Sequence, residues 1–263
     1  MSALNVTIVQ SDLQWHDAAR NLARFTAIIG DLPDAADLIV LPEMFTTGFS
    51  MDAAQLAETM DGDAVRWMLD SAASRDAALC GSLIIRADQQ FLNRFVCALP
   101  SGELIWYDKR HLFRLAGEQN HYAAGERRVT FELKGWRICP LVCYDLRFPV
   151  WSRNRDSYDL LLYVANWPDR RHYAWETLLR ARAIENLSYV AGVNRTGKDG
   201  NGVAYAGGSS IIDFLGSTVE NLGDREGTAA AALDLEQLRA FRERFAFDKD
   251  ADSFRIGNQE SLR

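Results

Sequence analysis

One stretch of the sequence decides the fold: WRICPLVCYDLR, residues 136–147. Its first part is a short apolar run that follows a turn signal, which is typical of a buried β-strand. The run stops at Cys143, and polar residues follow it. Because ligands of open α/β sheets collect where such strands end, Cys143 is predicted to lie half-buried at the rim of a sheet.

Two interpretations of Cys143 are open from its position alone. Most free cysteines are small hydrophobic residues of a core. A reactive cysteine instead needs a partly exposed niche with charged groups beside it. The rest of the chain must therefore supply those groups.

Strands and helices alternate along the chain. Residues 4–10 predict a first strand, Asp17 predicts a helix N-cap, and residues 37–43 predict an apolar strand that ends at Glu43. The other predicted strands are residues 79–85, 91–99, 103–107, 129–133, 136–142, 160–165, 189–193, 210–214, 217–221 and 229–234, and the other predicted helices begin at Asp63, Pro149, Tyr173 and Leu235. This alternation predicts an α/β fold.

A predicted hairpin in the middle of the chain ends at Lys109. Its turn is residues 100–102, and a hairpin requires part of the sheet to be antiparallel. Residues 110–125 have no clear periodicity and are numerous enough to form a functional loop, which we expect to cover a site. The glycine-rich residues 197–208 lack the spacing of a phosphate-binding loop, so we expect these glycines to form turns.

Length and composition predict one globular domain. The 263 residues show no linker, so we expect a single domain over residues 1–263, with a core at about 4–234 and a C-terminal helix and tail at 235–263. The apolar runs are too short to cross a bilayer, and no signal peptide is visible, which predicts a cytoplasmic protein. The net charge of -7 and the lack of a long basic run argue against nucleic acid as a partner. Small molecules are the expected partners.

The cysteines and histidines do not predict a metal site. Cys80, Cys97, Cys139 and Cys143 contain no Cys-x-x-Cys pair, and none of the four histidines belongs to a His-Glu-x-x-His motif. We expect Cys80, Cys97 and Cys139 to be reduced residues in or near the core. No metal and no cofactor are expected.

Three predicted strands end at Glu43, Lys109 and Cys143, and these side chains can converge if the strand ends share a rim. A thiol needs a base or a neighbouring cation to become a nucleophile. Glu43 can serve as the base, while Lys109 and the backbone N–H of Tyr144 can stabilise an oxyanion. Taken singly, Glu43 is better explained as a solvated loop carboxylate and Lys109 as a surface cation.

The local sequences around these three residues resemble one known family. LPEMF at residues 41–45, YDKRHL at 107–112 and VCYDLRFP at 142–149 resemble the three signatures of the nitrilase superfamily of carbon-nitrogen hydrolases, in the same order. The resemblance runs from the first strand to about residue 234. It implies a single-domain, four-layer α-β-β-α sandwich.

The resemblance also implies roles for the site residues. Glu43 corresponds to a general base, Lys109 to a cation that stabilises the oxyanion, and Cys143 to a nucleophile that forms a thioester. Glu118 falls where the family carries a second glutamate that positions the substrate and the lysine. An exposed loop position is the alternative for Glu118.

The flanking residues 166–168 and 182–186 look most like the ω-amidase branch of the superfamily. That branch deaminates monoamides of dicarboxylic 2-oxo acids, such as 2-oxoglutaramate or 2-oxosuccinamate. The same Glu-Lys-Cys set also supports hydrolysis of nitriles or N-carbamoyl amino acids, and the fold can carry a catalytically silent binding module. Members of the family commonly form homodimers, so a homodimer is expected.

A monoamide of a dicarboxylic acid has a free carboxylate, which the pocket must hold. Arg147 is one candidate for this contact, and a structural ion pair with Asp145 or another acidic neighbour is the alternative. Trp167, Phe45 and Tyr144 are candidates for the pocket wall, although aromatic residues are equally compatible with packing in the core.

Overall fold

The computed structural model describes residues 3–155, 157–252 and 254. Its strands are β1 (Ala3–Gln10), β2 (Leu38–Val40), β3 (Ala78–Ala87), β4 (Gln90–Ala98), β5 (Leu104–Asp108), β6 (Phe131–Leu133), β7 (Trp136–Val142), β8 (Leu160–Ala165), β9 (Tyr189–Asn194), β10 (Thr196–Lys198), β11 (Ala204–Ala206), β12 (Ser210–Ile212), β13 (Thr218–Asn221) and β14 (Gly227–Asp234). Its α-helices are α1 (Ala18–Gly30), α2 (Ala53–Leu56), α3 (Asp63–Arg75), α4 (Pro149–Ser152), α5 (His172–Asn186) and α6 (Leu235–Arg244).

Most of these strands form two six-stranded sheets. The first sheet has the order β14-β1-β2-β3-β4-β5, and the second has the order β13-β12-β9-β8-β7-β6. The strands β1, β2 and β3 are parallel, as are β7, β8 and β9, whereas the strands toward the sheet edges are antiparallel. The predicted hairpin of β4 and β5 is therefore confirmed.

The two sheets pack face to face between outer helices. Along β2 and the residue after it, Leu38 and Val40 belong to the core between the sheets, whereas Ile39 and Leu41 belong to the core beneath α1 and α3. This alternation follows from the two-residue period of a strand. On the far side, α5 packs on β9 and β12 of the second sheet. The four-layer α-β-β-α sandwich is thus confirmed.

Local signals placed several element boundaries well. Asp17 caps α1 by accepting a hydrogen bond from the backbone N–H of Arg20 at 3.0 Å. Cys80, Cys97 and Cys139 are buried in the core, as predicted. None of the described helices combines the length and the apolar character needed to span a membrane.

Three boundaries differ from the predictions. The strand predicted at residues 37–43 has ladder pairing only at Leu38–Val40, because Pro42 has no N–H to donate and the chain then turns. The glycine-rich residues 197–208, predicted as turns, contribute to a two-stranded hairpin of β10 and β11. The C-terminal helix is found as α6, while residues 255–263 of the predicted tail lie outside the described residues.

Gly192 in β9 permits the close approach of α5. A Cβ atom added there would lie 2.5 Å from Cδ1 of Leu179 and 3.0 Å from Cζ2 of Trp175. Both neighbours are completely buried, so neither can move into solvent.

We expect Gly192→Ala to lower the free energy of unfolding by about 1–3 kcal/mol, because the methyl group overfills a packed core. Urea denaturation followed by circular dichroism measures the change. Gly30→Ala is the matched control, since nothing lies within 4 Å of its added Cβ. Unchanged stability in Gly192→Ala would contradict this close packing of α5.

Candidate active site

The three residues predicted to carry the chemistry lie together. Glu43 follows the first sheet's β2, Lys109 follows β5 and Cys143 follows β7 of the facing sheet. The ammonium of Lys109 is 3.0 Å from Oε1 of Glu43. The thiol of Cys143 lies 4.0 Å from the carbonyl oxygen of Asn166, whose backbone N–H binds Glu43. Cys143 lies at the end of β7, as predicted, but it is only 9% exposed, so the prediction that it is half-buried was wrong. The opposite sheet and the loops cover this strand end.

Glu118 completes the cluster. Both of its carboxylate oxygens are 3.0 Å from Nζ of Lys109, and Oε2 also accepts a hydrogen bond from the backbone N–H of Phe113. Glu118 is completely buried, which excludes the alternative of an exposed loop position. Its segment, residues 110–125, covers the site as predicted.

Hydrogen bonds from residues that the sequence analysis missed orient Glu43. Asn93 donates to Oε1 at 2.7 Å, the backbone N–H of Asn166 donates to Oε2 at 2.7 Å, and the Asn166 side chain donates to the carbonyl of Glu43 at 2.6 Å. Ser82 holds Asn93 in turn, because its hydroxyl donates to the Asn93 side-chain oxygen at 2.9 Å. Polar residues inside otherwise apolar strands were the available signal for Ser82 and Asn93.

Lys109 is a permanent cation in this cluster. Burial alone would lower the pKa of its ammonium, but the carboxylates of Glu118 and Glu43 outweigh burial and raise the pKa above its ordinary value. An ammonium with a raised pKa cannot act as a base or a nucleophile at neutral pH. Lys109 can therefore stabilise negative charge but cannot accept a proton.

The Cys143 thiol is protonated at rest. Burial raises the pKa of the thiol well above its ordinary value, and the carboxylate of Glu43 raises it further, whereas Lys109 acts in the opposite direction. Nucleophilic attack therefore requires a base at the moment of reaction. Glu43, whose carboxylate acts directly on the pKa of the thiol, is the base placed nearest to take that proton.

The backbone at Cys143 has an unusual conformation. Its φ of 44° lies in the left-handed region, at the start of a 3₁₀ turn formed by Cys143–Arg147. Residues other than glycine adopt this region only when the surroundings enforce it. Here the turn brings the thiol to the carbonyl of Asn166, the residue whose backbone N–H binds Glu43.

Asp145 supplies part of that enforcement. Its completely buried carboxylate accepts hydrogen bonds from the Tyr107 hydroxyl at 2.7 Å, the Val142 N–H at 3.1 Å and the His111 N–H at 2.9 Å. The His111 ring lies 2.8 Å from the same carboxylate. These contacts join the turn that carries Cys143 to the strand end that carries Lys109. They also exclude the alternative in which Asp145 pairs with Arg147.

A cavity of about 370 Å³ opens onto Cys143. Three of the predicted pocket residues, Tyr144, Arg147 and Trp167, line it, and the guanidinium of Arg147 lies 5.0 Å from the centre of the Trp167 ring. Phe45 was predicted as a wall but does not reach the cavity. Its side chain is completely buried and packs with Phe25 and Trp67, because it points toward the outer helices.

The hairpin of β10 and β11 forms another wall of the cavity. Asp199 and Tyr205 line it, and the Tyr205 hydroxyl donates to the Asp199 carboxylate at 2.8 Å. The sequence analysis assigned only turns to this segment. Its two strands are only three residues long, which is too short to show the alternation of a strand in the sequence. Nothing in the local sequence indicates that the segment reaches the cavity.

The four-layer sandwich and the buried cluster of thiol, carboxylates and ammonium are those of the nitrilase superfamily of hydrolases. Residues 5–243 match the family described as carbon-nitrogen hydrolase. The chain belongs to that family and is a hydrolase of carbon–nitrogen bonds other than peptide bonds.

Three similar proteins cover nearly the whole chain. Omega-amidase YafV of Yersinia enterocolitica is 50% identical over 260 residues, which are 97% of this chain and 99% of that protein. The 2-oxoglutaramate amidase of Bacillus subtilis is 35% identical over 245 residues, which are 90% of this chain and 93% of that protein. A carbon-nitrogen hydrolase superfamily protein from Xanthomonas campestris, whose crystal structure has an arsenic adduct in the active site, is 48% identical, with a TM-score of 0.95 over 98% of this chain and 100% of that chain.

The substitution Glu43→Gln tests the electrostatics of the thiol. It removes the negative charge that raises the pKa of Cys143 but keeps the shape of the side chain. We therefore expect the rate of alkylation of Cys143 by iodoacetamide to rise at a lower pH in the variant than in the wild type, because the thiolate forms more easily. Peptide mass spectrometry after timed labelling measures this rate.

Cys143→Ala is the control, since its remaining cysteines are completely buried and do not line the cavity, so they should not be labelled at the same rate. A shift of the alkylation profile to higher pH in Glu43→Gln would show that Glu43 lowers the pKa of the thiol.

Proposed function

We propose that this protein is an ω-amidase, which hydrolyses the terminal amide of a dicarboxylic 2-oxo acid monoamide to an acid and ammonia. One observation carries the proposal: the cavity that opens onto Cys143 also exposes the guanidinium of Arg147. Such a cavity offers a nucleophile at one place and a carboxylate-binding cation at another. The names of the relatives from Yersinia enterocolitica and Bacillus subtilis support this substrate class.

Arg147 is suited to hold the free carboxylate of the substrate. Among the described residues, no carboxylate lies within ion-pair distance of its guanidinium, because Asp145 is bonded elsewhere. Stacking on Trp167 fixes the plane of the guanidinium, which favours a two-point contact with a carboxylate. The amide at the other end of a short substrate then reaches Cys143.

In the first half-reaction, Glu43 takes the proton of the Cys143 thiol while the sulfur attacks the amide carbon. The carbonyl oxygen becomes an oxyanion, which Lys109 and the backbone N–H of Tyr144 stabilise. When the tetrahedral intermediate collapses, the carbon–nitrogen bond breaks and Glu43 gives its proton to the leaving nitrogen. Ammonia leaves, and the acyl group remains on the sulfur as a thioester.

The second half-reaction uses the same groups. Glu43 takes a proton from water as the water oxygen attacks the thioester carbon, and Lys109 again stabilises the oxyanion. Collapse breaks the carbon–sulfur bond, and the proton on Glu43 returns to the sulfur. The second glutamate, Glu118, keeps Lys109 charged and in place throughout. No histidine is required.

A homodimer and a cytoplasmic location stay predictions of the sequence analysis. The small-molecule amide is the proposed partner of the site.

A panel of substrates tests the proposed function. We expect measurable release of ammonia from 2-oxoglutaramate and 2-oxosuccinamate. Short nitriles and N-carbamoyl amino acids should be turned over much more slowly, because they lack either the amide that leaves or a carboxylate at the right distance from that amide. Glu43→Gln should lower kcat by about 10²–10⁴-fold with a small change in KM, since it removes the base and not a binding group. Faster turnover of a nitrile or a carbamoyl amino acid would assign the enzyme to that class instead.

Intact-protein mass spectrometry tests the covalent step. With an amide that is turned over slowly, wild-type protein should gain the mass of one acyl group, and Cys143→Ala should gain none and release no ammonia. Lys109→Ala should slow both formation and decay of the adduct by about 10²–10³-fold, because one cation serves both oxyanions. Circular dichroism checks that this variant is folded, since it leaves two carboxylates buried without their cation. An adduct on Cys143→Ala would contradict catalysis through this thiol.

A further inference from the structure

A second guanidinium, that of Arg171, faces the cavity together with that of Arg147. Arg171 ends the short 3₁₀ turn after Trp167, and its guanidinium lies 4.9 Å from the centre of the Phe113 ring. Like Arg147, it has no carboxylate within ion-pair distance among the described residues. The cavity wall therefore carries three arginines, Arg147, Arg170 and Arg171. The guanidinium groups of Arg147 and Arg171 each lie over an aromatic ring, and no carboxylate of the described residues neutralises them.

The two guanidinium groups are close enough to affect each other. Burial lowers the pKa of Arg171, and the charges of Arg170 and Arg147 lower it further, whereas a thiolate at Cys143 raises it. A guanidinium stays protonated at neutral pH despite such a shift. Arg171 is thus a cation near both Arg147 and the reacting sulfur.

The acidic residue among the described lining residues is Asp199, and its oxygens are already engaged. Oδ1 accepts hydrogen bonds from the backbone N–H groups of Asn201 and Val203 at 2.9 Å, and Oδ2 accepts one from the Tyr205 hydroxyl. Asp199 therefore holds the hairpin together, and the cations outnumber it. The cavity favours a ligand with negative charge and several acceptor oxygens.

Arg171 is also held in a defined place. The Phe113 ring beneath it lies 5.0 Å from the ring of Tyr144, and the backbone N–H of Phe113 bonds to Glu118. The segment that supports Arg171 is thereby tied to the catalytic cluster. A stacked guanidinium loses less freedom when it binds a ligand than a free one does.

We propose that Arg171 is a specificity-determining residue that, together with Arg147, selects substrates with a 2-oxo group over their 2-amino analogues. This inference rests on the proposed ω-amidase function. One guanidinium can bind the carboxylate, and the second then lies beside the carbon next to that carboxylate. A 2-oxo oxygen there accepts a hydrogen bond from Arg171, an unsubstituted carbon accepts none, and an ammonium is repelled.

A binding experiment tests this selection without any turnover. The ligands are 2-oxopentanoate, pentanoate and norvaline, which differ only at the second carbon and contain no amide. Each is titrated against the alkylation of Cys143 by iodoacetamide, and the concentration that halves the rate is measured. For wild-type protein we expect protection by 2-oxopentanoate at the lowest concentration, then by pentanoate, and by norvaline at the highest.

In Arg171→Gln, the concentration of 2-oxopentanoate that halves the alkylation rate should rise at least about tenfold. It should then be close to the concentration of norvaline that has the same effect. Arg171→Lys keeps the charge and should still discriminate against norvaline. Arg114→Gln is the matched control, because it removes the same charge from an exposed residue next to Phe113 that does not line this cavity. We expect its protection constants to equal those of the wild type.

Turnover supplies a second measurement. For 2-oxoglutaramate, Arg171→Gln should lower kcat/KM through KM. Glutaramate and L-glutamine should lose less than the 2-oxo substrate, and uncharged pentanamide should be unaffected. A structural role for Arg171 would instead change all four substrates alike.

The outcomes separate the two proposals. If Arg171→Gln keeps the wild-type protection constants, or changes them by the same factor for all three ligands, the proposed role of Arg171 is wrong. That conclusion holds even if monoamides are good substrates. If wild-type protein does not hydrolyse monoamides, the proposed function fails, and the protection constants still decide whether Arg171 selects a 2-oxo acid.

Discussion

The buried ammonium of Lys109 is the interaction on which the rest of the site depends. Lys109, Glu43 and Glu118 are each 1% exposed or less, and a single buried charge without a partner costs several kcal/mol. The two carboxylates come from separate segments, one after a strand of the first sheet and one in a long loop. The three charges are tolerated inside the protein only when these segments meet. Assembly of the site is therefore part of folding.

A second constraint acts on the backbone of the nucleophile. The positive φ of Cys143 costs about 1–3 kcal/mol and persists only where the surroundings fix it. Asp145 does this by binding the strand residue before the cysteine and, through Tyr107 and His111, the segment on both sides of Lys109. One buried carboxylate thus sets the distance between the sulfur and the cation. The strain is offset by hydrogen bonds, not by the flexibility of a glycine.

The charges beside Cys143 differ from those on the rest of the cavity wall. The inner cluster, with one ammonium and two carboxylates, has a net charge of about -1 while the thiol is protonated. The rest of the cavity wall carries Arg147, Arg170 and Arg171. This gradient orients a substrate that has a neutral amide at one end and a carboxylate at the other. The negative charge of Glu43 also repels the new carboxylate of the product, and this repulsion favours product release.

The sequence by itself determined the order of strands and helices and the identity of the three reacting residues, because strand and helix periods and short motifs are local properties. The tertiary structure decided which polar groups are buried and what they bind. Asn166 orients Glu43 across 123 residues, and neither residue's own neighbourhood predicts that contact. The same holds for the full burial of Glu118, for the inward turn of Arg147 and for Phe45, which packs against the outer helices. Each of these outcomes depends on a partner that only folding brings near.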